Sequence, residues 1–234
     1  MPTKVNHIPI FLWLFSTVSF SFCAEKLYVF YPGVTRSHII QEKLQGALKD
    51  FDVYVFGRYS DLVSQVKSNP PVAIIAKQSL IKQLPGYVKA AVGSSSNRHC
   101  QTYVLLSIDK KVYFTDLKPS TVIGVVDYLG RKQTELYFKQ HLDIECDIKC
   151  VLKPEDLIPL LIFDLADCVI LEKSIADYFK SIYDLNFLET VLPSSSYEAI
   201  SLGIQNGSRA NKIIADLKNL GVVNVYIFGI DKWE

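Results

Sequence analysis

The stretch KLYVFYPGVTRSHIIQEKLQGALKDFDVYVFGRYSDLVSQVKSNPPVAIIA, Lys26 to Ala76, decides the fold class. Three of its runs, KLYVFYP (Lys26 to Pro32), DVYVFG (Asp52 to Gly57) and VAIIA (Val72 to Ala76), are rich in β-branched and aromatic residues. Such side chains suit a pleated surface, so each run predicts a strand. Between them, Ile40, Leu44, Ala47 and Leu48, then Leu62, Val63 and Val66, recur at helical spacing. Thr35 or Ser37 is placed to cap the first helix and Ser60 the second. A βαβαβ series with right-handed crossovers puts helices over the faces of a parallel sheet.

Downstream the pattern lapses between Pro85 and Asn97, where GSSSN occurs, and TYVLLSI (Thr102 to Ile108) predicts a strand leaving this first lobe. A second set then begins. TVIGVVDYL (Thr121 to Leu129) predicts a strand, Arg131 to Leu142 a helix, CDIKCVL (Cys146 to Leu152) a strand, and the residues after Pro154 a helix. DCVILE (Asp167 to Glu172), SIADYFKSIY (Ser174 to Tyr183) and NFLETVL (Asn186 to Leu192) continue as strand, helix and strand. YEAISLGI (Tyr197 to Ile204) predicts a strand crossing back. A turn at Asn206 to Ser208 then opens a helix with Ile213, Ile214, Leu217 and Leu220 on one face. Gly221 stands where a C-terminal cap belongs, and VNVYIFGI (Val223 to Ile230) predicts a closing strand. The expected architecture is α/β and two-lobed, with residues 25–106 and 197–234 forming one lobe and 107–196 the other. Each lobe is expected to be a mostly parallel sheet flanked by helices, with two crossing strands as the hinge.

The first 24 residues set the expected compartment. Lys4 is followed by an apolar run from Ile8 to Phe22 and small residues between Ser21 and Ala24, the pattern of a secretory signal peptide. The run is shorter than the roughly 20 residues of a spanning helix. Lys4 is the leader's one charged residue, so the 25 basic and 24 acidic residues of the chain become equal in number without it. That balance argues against a nucleic-acid or anionic-membrane footprint. Cys100, Cys146, Cys150 and Cys168 lie outside the leader. Cys146 and Cys150 fit either a small disulfide loop or two buried thiols on one face of a strand, and both readings stand open. The histidines outside the leader are His38, His99 and His141, and no HExxH, CxxC, Walker or GxSxG pattern accompanies them. His99 and Cys100 would point to opposite faces of a strand. Neither an enzyme nor a cofactor is expected.

Three segments, taken in order, resemble type 2 periplasmic solute-binding proteins. YEAISLGIQNGSRANKIIADLKNLG (Tyr197 to Gly221) is similar to that family's closing strand, Gly-Ser turn and long helix. STVIGVVDYLGRKQTELYF (Ser120 to Phe138) is similar to the segment opening its second lobe, and ADCVILEKSIADYF (Ala166 to Phe179) to its later strand and helix. The resemblance implies a ligand cleft between the lobes, at the carboxyl ends of strands. Four turns are thereby nominated: Tyr31, Pro32, Gly33, Val34, Thr35 and Arg36; Lys77, Gln78 and Ser79; Asp127, Tyr128, Gly130, Arg131, Lys132, Gln133 and Thr134; and Glu172. Two cations at a helix N-terminus oppose the helix dipole, which makes Arg131 the favoured contact for an anionic group. Glu172 stands where related amino-acid binders hold the ligand's ammonium. Tyr59 and Tyr103 are further candidates to line the cleft. The arginine that clamps a carboxylate in amino-acid binders is missing from AKQSLIKQLPGY (Ala76 to Tyr87).

The implied function is an exported, periplasmic, monomeric protein that captures a small polar solute, anionic if Arg131 faces it, and presents it to an ABC transporter. A ligand-sensing module for a membrane receptor, or a scaffold with a degenerate cleft, are the alternatives. No nucleic acid is among the expected partners.

Overall fold

A computed structural model describes residues 24–95, 102–143, 145–192, 198, 200–205 and 210–234. The expected leader, apart from Ala24, lies outside the described residues, as do His99, Cys100 and the turn at Asn206 to Ser208.

The opening strands form as expected: β1 (Glu25–Phe30), β2 (Phe51–Phe56) and β3 (Ala73–Lys77) pair in parallel, with α1 (Ser37–Ala47) and α2 (Tyr59–Ser68) as the crossovers. Ile40 and Leu44 of α1 and Leu62 and Val66 of α2 bury the predicted stripes. The predicted caps do not form. Arg36 and Arg58 occupy the N-cap positions without side-chain cap bonds.

A short helix, α3 (Gln78–Gln83), and β4 (Tyr87–Ser94) follow, the latter within the stretch expected to lapse. β5 (Tyr103–Ile108) then pairs with strands of the second sheet, although its residues up to 106 were expected to belong to the first lobe. That sheet also contains β6 (Val122–Val126), β7 (Asp147–Val151), β8 (Cys168–Glu172) and β9 (Phe187–Val191), flanked by α4 (Arg131–Leu142), α5 (Leu157–Ile162) and α6 (Lys173–Ile182). The chain returns as β10 (Ile200–Gln205), α7 (Ala210–Lys218), α8 (Val222–Phe228) and β11 (Lys232–Trp233).

The two sheets repeat one plan. The first runs β2-β1-β3-β10-β4-β11 and the second β7-β6-β8-β5-β9. In each, the strand that has just arrived from the other lobe, β10 or β5, inserts antiparallel between two strands of the opposite direction. The remaining central strands share one direction, so their carboxyl ends point the same way and the two lobes present them to each other. The apolar core does not stop at the lobe boundary: one cluster joins Tyr28, Phe30, Ile74 and Leu80 of the first lobe to Tyr103, Val125, Tyr128 and Ile170 of the second. A second cluster fills the other face of the first sheet, where Ile213, Leu217 and Trp233 pack over Leu27 and Val29.

The predicted closing strand is instead helix α8. Val223, Val225 and Ile227 favour strands intrinsically, but tertiary contacts override that preference. The fully buried Asn224 accepts a bond from the Trp233 indole N–H at 2.9 Å and donates to the Leu217 carbonyl at 2.8 Å. Gly229 ends the helix in the left-handed conformation (φ 63°), with its N–H bonded to the Val225 carbonyl and that of Ile230 to Asn224. Gly221, expected as a C-cap of the preceding helix, is instead the N-cap of α8.

Cys146 and Cys150 are not paired. Both thiols are free, as is that of Cys168. The extended chain rises about 3.3 Å per residue, so four residues put the two cysteines about 13 Å apart, beyond the roughly 7 Å a disulfide spans between Cα atoms. Their sulfurs bond instead to the carbonyls of Lys118 and Arg131. Burial pushes the Cys150 thiol up to about 11 and the Cys168 thiol up to about 12. All three thiols are raised and stay protonated at neutral pH, which makes them packing groups rather than nucleophiles.

Candidate functional site

A cavity of about 220 Å³ opens where the strand ends of the two lobes meet. The first lobe contributes the turn from Phe30 to Val34, then Lys77 at the end of β3, Ile200 at the start of β10, and the last turn of α8. The second lobe contributes Tyr128 after β6, Glu172 at the end of β8, and Ser174 and Ile175 at the start of α6. These positions follow from topology: parallel strands from both sheets end here, and each is followed by a turn into a helix.

At the centre, the Lys77 ammonium reaches across the cleft to the Glu172 carboxylate at 3.2 Å. It also lies 4.5 Å from the ring centroids of both Tyr103 and Tyr128. The Tyr103 hydroxyl donates to the same Glu172 oxygen at 3.1 Å. Lys77 is thus held by one carboxylate and two aromatic faces, all supplied by the other lobe. Both members of the pair are largely buried, with 15% and 22% of their side chains exposed. That burial raises the worth of the attraction and the cost of separating them.

Around this pair, burial raises the Tyr31 phenol, with the Glu172 charge adding to the effect and a hydrogen bond with Thr35 opposing it. Burial holds the Tyr128 phenol well above its usual value, again with Glu172 contributing. Both rings therefore stay neutral and able to donate a hydrogen bond at neutral pH.

Of the residues nominated from the sequence, Tyr31 to Val34, Tyr128 and Glu172 line the cavity, and Tyr103 lies beneath it as a support for Lys77 and Glu172. The others have different situations. Thr35 and Arg36 line a second depression of about 280 Å³, together with Lys153 and Glu155 of the second lobe. The Gln78 side chain accepts a bond from Lys89 at 3.4 Å. The Ser79 backbone N–H donates to the Glu198 carboxylate at 2.6 Å.

Arg131, Lys132 and Gln133 are exposed on the first turn of α4 and do not line the cavity. Arg131, the favoured anion contact from the sequence, is thus an exposed residue outside this lining. Thr134 is fully buried and structural, donating to Asp127 and accepting from the Leu129 N–H, both at 2.9 Å. Tyr59 is half-buried and packs its ring against Gly130 of the other lobe, with burial and the Asp127 charge raising its phenol.

Lys77, nominated with the turn that follows the third strand, also lines the cavity. The contributor the sequence does not reveal is the α8 wall, with Val225, Tyr226, Ile227 and Phe228, whose residues predict a strand. Paired glycines at 221 and 229, spaced to bracket two helical turns, were the available clue.

No family model and no curated protein matches the chain by sequence. Among solved structures, the chain is similar to XAC2383 from Xanthomonas citri bound to chloride ion, with a TM-score of 0.65, 7% identity and 91% of each chain covered. It is also similar to the Bordetella pertussis BvgS VFT2 domain, with a TM-score of 0.58, 13% identity, and 87% of this chain and 92% of that chain covered. A third similar structure is an amino acid ABC transporter substrate-binding protein from Streptococcus pneumoniae bound to L-arginine, with a TM-score of 0.57, 10% identity and the same coverages of 87% and 92%. With two mixed sheets and two crossings between lobes, this chain has the two-lobed α/β fold of binding proteins. In particular, it has the fold of the type 2 periplasmic binding proteins.

Proposed function

We propose that this chain is a periplasmic solute-binding protein that takes a small polar ligand into the interlobe cavity and presents it to an ABC transporter. The observation that carries the reading is the cavity itself, walled by both lobes and crossed by the Lys77–Glu172 pair. A ligand touching both lobes favours the closed arrangement over an open one, and that difference in affinity is the signal a membrane partner reads. The streptococcal transporter component bound to L-arginine supports this reading by its shared fold. Tyr31, Lys77, Tyr128 and Glu172 are the proposed ligand contacts. The chain acts by binding, without catalysis, as a monomer, and reaches the periplasm through the leader at residues 1–24.

A second reading, a ligand-sensing module, draws support from the shared fold of the BvgS VFT2 domain. It uses the same cavity and differs only in the partner that reads closure.

The test is a thermal-shift screen of small solutes on the chain lacking residues 1–24, followed by calorimetric titration of hits. Binding to the native state at 100 times Kd adds about 2.7 kcal/mol of stability. A hit whose affinity falls about tenfold or more in Tyr31→Ala is expected. Hits indifferent to Tyr31→Ala and Glu172→Ala would move the ligand out of this cavity. Copurification with membrane transporter subunits or with a receptor separates the two readings.

A further inference from the structure

Among the described residues, two charged side chains reach the cavity, Lys77 and Glu172, and each is paired with the other. The two tyrosine faces on the ammonium and the Tyr103 hydroxyl on the carboxylate leave neither charge waiting for a counter-charge from a ligand. The neighbouring Ser79 N–H is taken by the chain's own Glu198 carboxylate. The rest of the wall is largely aromatic or aliphatic, with Phe30, Tyr31, Val34, Ile175, Ile200 and Phe228 facing the space. A ligand with net charge meets two charges that already cancel and so gains little net attraction from the pair, while detaching one member strands the other in a largely buried position. An uncharged ligand leaves the pair intact, covers the apolar wall and finds donors in the Tyr31 and Tyr128 hydroxyls. At about 220 Å³ the cavity is larger than the roughly 150 Å³ that holds a benzene ring.

We infer, resting on the solute-binding reading above, that this cavity selects uncharged ring compounds bearing a hydrogen-bonding group and rejects anions and cations of the same size. The selectivity lies in the electrical neutrality of the Lys77–Glu172 pair, and it switches when either member is neutralised.

The experiment titrates benzamide, benzoate, benzylammonium and L-glutamate, by calorimetry, into the wild-type chain lacking residues 1–24 and into Lys77→Met, Glu172→Gln and the double variant. Melting curves verify that each is folded. The wild type is expected to bind benzamide about tenfold more tightly than either charged ring compound. Glu172→Gln is expected to shift the preference to benzoate and Lys77→Met to benzylammonium. The double variant is expected to return it to benzamide, which keeps the test valid if a single variant does not fold. Benzoate, benzylammonium or L-glutamate binding the wild type as tightly as benzamide overturns the selectivity and leaves the solute-binding reading standing. Absence of binding by every probe to every folded variant overturns both.

Discussion

Lys77 and Glu172 are 95 residues apart in sequence, and each is unremarkable there: a lysine and a glutamate ending two apolar runs. Their meaning comes from being brought to 3.2 Å in a largely buried place. The coupling energy in a double-mutant cycle of Lys77→Met and Glu172→Gln, read from urea unfolding, is expected to be about 1 to 2 kcal/mol, above that of an exposed pair. A coupling near zero would make the contact incidental. Thr134 tests the opposite correction. Because its hydroxyl is the donor to the buried Asp127 carboxylate, Thr134→Val is expected to cost about 1.5 to 3 kcal/mol of stability. Substituting its exposed neighbours Arg131 and Lys132 by Ala is expected to change stability by less than about 0.5 kcal/mol. Gly130 adds a third case, with φ at 87° and the position of a Cβ only 2.9 Å from the Tyr59 ring. Gly130→Ala is expected to cost about 1 to 2 kcal/mol, and Tyr59→Ala relieves the ring clash but not the backbone strain.

At the scale of elements, α6 and β9 are joined by charge. Lys173 and Lys180 of α6 both bond to Glu189 of β9, and Lys173 also reaches Asp177 at 2.6 Å. Burial pushes the Glu189 carboxyl up, but the two ammonium groups outweigh it and hold the group below its ordinary value. A carboxyl lowered in the folded state stabilises fully above its unfolded pKa, about 4.3, and that contribution is lost as pH falls through the lower folded value. Glu189→Gln is therefore expected to cost roughly 0.5 to 1 kcal/mol at pH 7, with the difference from wild type shrinking below about pH 4. Equal differences at pH 7 and pH 3 would show that the charge is not the cause. The helix α8 depends on a different device, the Asn224 bridge between Leu217 and Trp233. Its dependence on partners far along the chain explains why local propensity misread it. β4 was missed for a related reason. YVKAAVGS (Tyr87 to Ser94) is weak as an isolated strand and is held by β10 on one side and β11 on the other.

For the whole molecule, one apolar cluster crosses from the first lobe into the second, which predicts that the lobes unfold together. Trp233 is the one tryptophan after the leader and sits buried in the first lobe. Its fluorescence therefore reports the first lobe, while far-ultraviolet circular dichroism reports both. Coincident urea transitions by the two probes are expected, and separated transitions would show that the lobes are independent.

By itself the sequence determined the α/β class, the strands and helices through α7 apart from α3 and β4, and the turns from which Tyr31, Tyr128 and Glu172 reach the cavity. Those features are written locally, in apolar periodicity and in turns that follow strands. Tertiary structure alone decided that β5 joins the second sheet, that α8 is a helix walling the cleft, and that Arg131 faces solvent. It also decided that Lys77 and Glu172 neutralise each other. Pairing between strands, burial of a charge and the occupant of a free N–H are set by residues distant in the chain, and no local pattern records which of them will meet.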